Sequence, residues 1–235
     1  SLEDIFEIQD EVSQKVAVFI SPALKANEVK RFNDRKNINL SSWDKYLKGL
    51  SFFNQARITQ DVESELNLRR KAVAHCEEAI KMDSEFSEPH IIISFCMIDF
   101  IFLPQLSSER SENEKKFQLH AQKGYDLDPN NPDAIFCYGL TYWVKQDVEK
   151  VSEFIKKALE ANPNHPRSLE MYSVQLQREG NFDKAIECIR RVMEVDPVSR
   201  VESEGFLIFH YIAKKDWVNA LSSIDSATVS LRLDR

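Results

Sequence analysis

The sequence is poor in glycine and has no long basic segment. Its five glycines are scattered over 235 residues, and no two are close enough to form the phosphate-binding loop of a P-loop or Rossmann protein. Lys and Arg occur as short doublets in a chain of net charge −7, whereas nucleic-acid binding needs clustered positive charge. These scarcities exclude the two nucleotide-binding folds and predict no nucleic-acid partner.

The residues that usually carry chemistry are also sparse. The four cysteines, Cys76, Cys96, Cys137 and Cys188, are far apart and form no CxxC pair, which favours buried free thiols in a reducing, cytoplasmic compartment. No two of the five histidines have the spacing of a helical zinc site, and no nucleophile motif is present. We therefore predict no enzymatic activity, no cofactor and no metal site for this chain.

The longest hydrophobic run, residues 91–103, does not predict a membrane span. It is shorter than the roughly 20 residues that cross a bilayer, and Asp99 lies within it. A helix that is apolar on all sides is more simply explained by burial on two sides. The chain also begins with Ser1 and has no signal peptide, so we expect it to be a segment of a longer protein.

What the chain does contain is a repeat. Pro129, Pro163 and Pro197 are separated by two intervals of 34 residues (163−129 and 197−163). Apolar residues between them recur with the same period, in the pairs Ile135 and Leu169, Tyr138 and Tyr172, Tyr142 and Leu176, Val151 and Ala185, Ile155 and Ile189, and Ala158 and Val192. A period of about 34 residues with two amphipathic helices per unit is typical of tetratricopeptide repeats. The pattern therefore resembles that family.

The resemblance and the helical periodicity together predict an all-α fold. We expect a right-handed superhelical array of about five helical hairpins, preceded by two N-terminal helices. The predicted hairpins are residues 41–82, starting at a cap on Ser41 or Ser42, residues 87–127 with an insertion at 103–108, and residues 132–165, 166–199 and 200–231. The predicted domains are 1–40, containing the N-terminal helices and a linker, and 41–235, the repeat domain.

The N-terminal segment carries an apolar stripe that needs a cover. Its residues fall at helical spacings of three and four, and they are Leu2, Ile5, Phe6, Val12, Val16, Phe19 and Ile20. Such a stripe favours burial by many kcal/mol at roughly 25 cal/mol per Å². We predict that Ile5, Phe6, Val12, Val16 and Phe19 dock on the array and form a homodimer contact, with a monomeric capping helix as the alternative.

A second resemblance concerns the segments Asp4–Val12 and Ser42–Gly49. They are similar to the C-terminal repeat regions of certain bacterial class III nucleotide cyclases and winged-helix transcriptional regulators. The resemblance implies the regulatory or oligomerisation region of a larger bacterial signalling protein. The catalytic aspartates and DNA-reading helices of those families have no counterpart here, so it implies a context and no activity.

The tetratricopeptide resemblance also implies a concave groove lined by the first helix of each hairpin. The family's groove positions correspond here to Ile91, Phe95, Ile98, Phe136, Leu140, Trp143, Val174, Ile208 and Tyr211. The Lys and Asn pattern by which chaperone-binding relatives hold a carboxylate is missing. We expect a protein or peptide partner, either an amphipathic helix or an extended apolar segment. The alternative is that these side chains pack against neighbouring helices.

Two other functions stay open at the level of sequence. The repeats could sense a small molecule, which would need a closed polar pocket with convergent Arg or Asn side chains. The chain could also be a free-standing adaptor without an effector domain. The main prediction is a protein-binding or regulatory scaffold.

Overall fold

The structure, a computed structural model, describes residues 39–59, 61–196 and 200–233. The predicted N-terminal helices, with their stripe at Ile5, Phe6, Val12, Val16 and Phe19, lie outside the described residues. The side chains of residue 105, residues 200–202 and residues 228–233 are likewise not described.

The described residues form ten α-helices and no strand, which confirms the predicted all-α array of five hairpins. The helices are α1 Leu40–Arg57, α2 Val62–Met82, α3 Ser87–Phe102, α4 Arg110–Leu127, α5 Pro132–Val144, α6 Val148–Ala161, α7 Pro166–Arg178, α8 Phe182–Val195, α9 Arg200–Lys214 and α10 Trp217–Leu233. Consecutive helices pair antiparallel as hairpins one to five, and each hairpin packs on the next.

The N-cap of α1 lies two or three residues before the predicted cap at Ser41 or Ser42. Asn39 is the cap, since its side-chain oxygen accepts hydrogen bonds from the backbone N–H groups of Ser41 (2.9 Å) and Ser42 (3.3 Å). Ser42 instead points inward, where its hydroxyl donates to the carbonyl of Ala79 at 2.9 Å. The helix therefore starts at Leu40, and the predicted serine cap joins hairpin one internally.

The predicted insertion in hairpin two is a short 3₁₀ helix, Pro104–Glu109. Proline is suited to the first position of a helix because it has no N–H group to leave unpaired there. Leu106 at its centre is buried, so the insertion packs onto the hairpin. It contacts both α3 and α4.

Hairpins three, four and five share one tight turn between their two helices. Gln146, Gly180 and Lys215 have positive φ angles of 59°, 81° and 63°. Positive φ is a conformation that only glycine adopts without strain. In hairpin four, Asn181 follows Gly180 and donates its backbone N–H to the carbonyl of Leu176 at 2.8 Å. The equivalent hydrogen bond is present in the turns of hairpins three and five. Only hairpin four therefore has the optimal residue.

The array is strongly curved. The first helices approach one another, α1 with α3, α3 with α5 and α7 with α9, whereas the second helices of successive hairpins make no comparable contacts among the described residues. The closely spaced elements of a curved array lie on its inner side. Arg57 at the end of α1 also pairs with Asp196, just after α8, at 2.6 Å. This ion pair joins the first hairpin to the end of the fourth.

The apolar interior consists of one large and one small cluster. The large cluster runs from Tyr46 in α1 to Ala158 in α6. The small one lies between hairpins four and five and contains Ile186, Ile189, Leu207, Tyr211 and Ala220. Helix α3 is the centre of the large cluster and is buried along nearly its whole length. No helix of the described residues is both long enough and apolar enough to span a bilayer.

Three of the four cysteines have the burial that the sequence predicts. Cys76, Cys96 and Cys137 are buried free thiols, and Cys188 is half-buried. Burial raises the pKa of the Cys96 thiol to about 12, although nearby Arg69 opposes the shift. These thiols therefore stay neutral and act as small apolar side chains.

Candidate functional site

The inner surface, formed by α1, α3, α5, α7 and α9, is crossed by a line of aromatic rings. Phe53 late in α1 stacks with Phe95 in the middle of α3, with 5.9 Å between ring centroids. Phe95 in turn contacts Phe136 early in α5 at 6.4 Å. The contact point moves towards the helix N-terminus from one hairpin to the next, as expected for helices that twist around a superhelix. The same line ends at the first turn of α7.

Arg167 occupies that first turn and covers the aromatic line. Its guanidinium carbon lies 4.1 Å from the ring centroid of Phe95 and 6.0 Å from that of Phe53. A guanidinium stacked flat on a ring keeps its five N–H donors in the plane, directed away from the ring. Among the described residues none accepts a hydrogen bond from Arg167 or pairs with it as an ion. Arg167 is half-buried there, and its charge attracts the Asp99 carboxylate without a direct ion pair.

A second cation beside the line forms two ion pairs. Arg69 of α2 is buried and pairs with Asp99 of α3 at 2.5 Å and with Glu65 at 2.8 Å. Burial raises the pKa of the Asp99 carboxyl, while Arg69 and then Arg167 oppose this shift by attraction. The bridge between α2 and α3 is structural, because the buried guanidinium of Arg69 joins the two helices through partly exposed carboxylates.

Two other acidic groups on first helices are also in contact with the array. The carboxylate of Asp133 lies 2.9 Å from Nε2 of His165. The other ring nitrogen of His165, Nδ1, is 2.7 Å from the Ser168 hydroxyl. Glu204 of α9 is almost fully buried and accepts from Ser226 at 3.3 Å. Asp99, Asp133 and Glu204 thus hold neighbouring elements together.

Most of the predicted groove residues are covered by the chain itself. Six are buried: Ile91, Phe95, Ile98, Phe136, Leu140 and Tyr211. Val174 and Ile208 are half-buried, and Trp143 is 41% exposed. The buried six fit the alternative of packing between helices. The structure brings Phe95 and Phe136 into one line and leaves Trp143 as the accessible aromatic residue of the predicted set.

Trp143 has an exposed aromatic partner that the sequence reasoning missed. Phe102, the last residue of α3, is 51% exposed, and its ring centroid lies 4.8 Å from that of Trp143 near the end of α5. The signal was available, since Phe102 ends an apolar helix just before Leu103 and Pro104. It was obscured because Phe102 falls outside the family's groove positions. We call these two residues the aromatic pair.

Within the described ranges, no three His, Cys, Asp or Glu side chains are grouped as a metal site. The largest cluster of imidazoles is the buried pair His90 and His120, whose Nδ1 atoms are 2.9 Å apart. Burial lowers the pKa of His90 to about 4 and that of His120 to about 3, so both rings are neutral near pH 7. One Nδ1–H donates to the other Nδ1, which joins α3 to α4.

Comparison with known proteins agrees with this architecture. Residues 167–199, which include α7 and α8, match the tetratricopeptide repeat family. Among solved structures, the crystal structure of yeast Tom70 aligns with 82% of this chain over 38% of its own, with a TM-score of 0.52 and 15% identity. TTC0263, a thermophilic tetratricopeptide repeat protein of Thermus thermophilus, aligns with 71% of this chain and 99% of its own, with a TM-score of 0.48 and 12% identity.

A further solved structure is YrrB, described as a tetratricopeptide repeat protein with an unusual peptide-binding site. It covers 75% of this chain and 82% of its own, with a TM-score of 0.42 and 19% identity. No curated protein sequence matches the chain. The fold is therefore that of a tetratricopeptide repeat array, and hairpin four is the repeat that sequence similarity detects directly.

Proposed function

We propose that this chain is a non-enzymatic scaffold that binds a protein partner through the aromatic pair. The main observation in support is that Phe102 and Trp143, on two neighbouring first helices, are in ring contact and are each about half exposed. Exposed aromatic side chains held in place by a rigid surface are typical binding hot spots, each worth about 2 kcal/mol or more. An apolar segment of the partner, either a helix or an extended strand, would cover both rings.

Arg167 refines the chemistry of this partner. Its guanidinium donors have no acceptor among the described residues, whereas the acids Asp99 and Asp133 already contact the array. A planar guanidinium fits a carboxylate in a bidentate arrangement. We therefore propose that the partner carries an acidic residue within reach of Arg167, in addition to the apolar segment that contacts the aromatic pair.

The experiment compares full-length variants in affinity isolation from an extract of the organism that makes the protein. The test variant is Phe102→Ser/Trp143→Ser, read by quantitative mass spectrometry. The matched control is Leu119→Ser/Val148→Ser, which removes two side chains that are 58% and 56% exposed on second helices. Phe136 is unsuitable as a target because it is 5% exposed and its loss would damage the core.

We expect one set of proteins to be recovered with the wild type and the control variant but not with the aromatic-pair variant. The helical circular dichroism of the aromatic-pair variant should match that of the wild type. Arg167→Gln should weaken the same set without abolishing it. Equal recovery from the aromatic-pair variant and the wild type would contradict the proposal. Equal loss from the control variant would show nonspecific apolar binding and would contradict it as well.

We further propose that the N-terminal stripe covers the exposed apolar surface of α1. A cavity of about 640 Å³ borders this helix, lined by Leu47, Leu50, Ser51, Asn54, Gln55, Arg57 and Ile58. Leu47 and Ile58 are exposed although both are apolar. The ends of a repeat array need such a cover. Replacing Ile5 and Phe6 by Asp should lower the thermal midpoint, and an unchanged midpoint would contradict this placement.

The context that we propose is the regulatory region of a bacterial signalling protein in the cytoplasm. The segments Asp4–Val12 and Ser42–Gly49 support it through their similarity to repeat regions that follow cyclase or winged-helix domains. The coding sequence upstream of Ser1 tests the idea. A cyclase or winged-helix domain there would agree with it, and any other upstream sequence would favour the free-standing adaptor.

A further inference from the structure

The last hairpin has an apolar face that none of the described residues covers. It consists of Phe209 and Ile212 on α9 and Trp217, Val218 and Leu221 on α10, and we call it the hairpin-five face. All five side chains are exposed, Val218 by 79% and Leu221 by 64%. Gly205, one turn before Phe209, has no described atom within 4 Å of where a Cβ would be, so the surface there is open to close approach.

Hairpin four shows what this position normally contacts. Ile186 in α8 and Leu221 in α10 each lie four residues after the first residue of their helix. Ile186 is 4% exposed because α9 packs across it with Leu207 and Tyr211. Leu221 is on the equivalent surface without an equivalent helix among the described residues. The face therefore has the shape and polarity of an interface between hairpins.

Charge distinguishes this face from the rest of the surface. Between Trp217 and Ala227 the only charged residue is Asp225, and the charges of the preceding turn, Lys214, Lys215 and Asp216, sum to +1 in a chain whose net charge is −7. Two copies of the face can therefore meet with little charge repulsion. A partner recognised by charge would find little to contact there, because specific partners are normally selected by complementary potentials.

The exposed area is close to what a stable pair of chains requires. From their exposed fractions, the five side chains present on the order of 500 Å² of apolar surface, since a large aromatic residue has about 150–250 Å². With its polar rim the face approaches the roughly 800 Å² per partner of a standard interface. An apolar patch of this size is at the upper end of what monomeric proteins expose, and such patches are often functional.

We propose that the hairpin-five face is a homodimer interface, in which a second copy of this chain contributes the same face across a two-fold axis. A two-fold dimer is a closed assembly, because the hairpin-five face of each copy is used up in the contact. If this face packed on α1 of another copy instead, the head-to-tail contact would build an open filament. The inference does not depend on the aromatic pair, which lies in hairpins two and three.

The test measures mass in solution by light scattering across micromolar to near-millimolar concentrations. The wild-type chain should have twice the chain mass of 27.3 kDa. Leu221→Asp should shift it to a monomer, with on the order of a 100-fold or larger rise in the dissociation constant, because an aspartate would be buried unpaired. The control Val148→Asp, at a 56% exposed position in α6, should stay dimeric.

Two further variants separate the rival interfaces. Ile5→Asp/Phe6→Asp should leave the dimer intact, and its dissociation would assign the contact to the N-terminal stripe and overturn the proposal. Leu221→Cys in a Cys188→Ser background should form a covalent dimer on mild oxidation, whereas Val148→Cys should not. A wild-type chain that stays monomeric throughout the range, or a dimer in which Leu221→Cys does not cross-link, would equally overturn the symmetric interface.

Discussion

Helices α3 and α10 are both poor in charge, yet they have opposite surroundings. Helix α3 contacts α1, α2, α4 and α5 and is buried along nearly its whole length, whereas the main contacts of α10 are with α9. Composition alone thus does not decide burial in a repeat array. A helix is buried when hairpins flank it on both sides, and the same apolar residues become an interaction surface when one side is free.

The comparison extends to stability. The large cluster of hairpins one to three combines stacked rings with a buried ion pair, whereas the small cluster at hairpins four and five contains five buried side chains. Repeat arrays are stabilised by each hairpin and its neighbouring interfaces, so regions of unequal packing unfold with unequal free energies. We expect hairpin five to open before hairpins two and three.

The largest expected effect separates two phenylalanines. Phe117 in α4 has no exposed surface, whereas Phe209 in the hairpin-five face is 50% exposed. Phe117→Ala should lower the free energy of unfolding by about 3–5 kcal/mol, because it leaves a cavity in the large cluster. Phe209→Ala should change it by less than about 0.5 kcal/mol in the monomer. Urea denaturation of both variants, followed by circular dichroism, gives the comparison, and similar losses would contradict it.

The next effect depends on pH and belongs to hairpin two. Burial lowers the pKa of His90 to about 4 and of His120 to about 3, below their usual value near 6.5. As the pH falls below about 6.5, the two histidines are therefore protonated in the unfolded chain but stay neutral in the folded chain, which favours unfolding. Stability should be complete above that pH and decline towards about pH 4.5 by roughly 2–3 kcal/mol for each of the two histidines, about 5 kcal/mol in total.

The measurement is the pH dependence of the urea midpoint. The double variant His90→Gln/His120→Gln should be less stable at pH 7 but should lose less stability on acidification. The matched control is His75→Gln, which removes a histidine outside the buried pair. A double variant with the same pH dependence as the wild type would show that other groups control acid unfolding.

A third comparison uses two helical glycines. A Cβ at Gly139 in α5 would lie 2.5 Å from the Cβ of Phe154, so Gly139→Ala should cost about 1–3 kcal/mol through overpacking. A Cβ at Gly205 in α9 would meet no described atom within 4 Å. Gly205→Ala should instead stabilise the monomer by about 0.5–1 kcal/mol, because alanine favours the helix. Thermal midpoints of both variants should move in opposite directions.

The smallest expected effect concerns the shared turn. Lys215 has a φ of 63° where hairpin four has Gly180 at 81°. Lys215→Gly should stabilise hairpin five by up to about 1 kcal/mol, since glycine adopts a positive φ without the steric strain that a residue with a Cβ has there. Gly180→Ala should have the opposite sign. Destabilisation by Lys215→Gly, measured by the urea midpoint, would show that the side chain contributes more than the backbone strain costs.

The regular part of the fold was predictable from the chain because its signals are local. The spacing of Pro129, Pro163 and Pro197 predicted hairpins three and four, which the structure has as α5–α8. The insertion after α3 was also predictable, because the 45 residues from Ser84 to Pro129 (129−84) exceed the repeat period of 34. The start of α1 was not, because several polar residues there can act as caps and the choice of Asn39 depends on where Ser42 packs.

The candidate site was less predictable because it depends on curvature. The family's positions correctly placed Phe95 and Phe136 on first helices, but a periodicity cannot show that neighbouring first helices approach closely enough to bury both rings. The contact of Arg167 with Phe95 joins hairpins four and two and has no local signal in the chain. The exposure of Leu221 likewise depends on which helices surround it.

Hydrogen exchange of individual helices tests the central claim, that neighbours rather than composition decide what is buried. It is best measured in the Leu221→Asp variant, so that self-association cannot protect α10. Amides of α3 and α4 should exchange only with the highest free energies of opening, close to those of global unfolding, and amides of α9 and α10 with free energies at least about 2 kcal/mol lower. Equal protection of α3 and α10 would contradict the account.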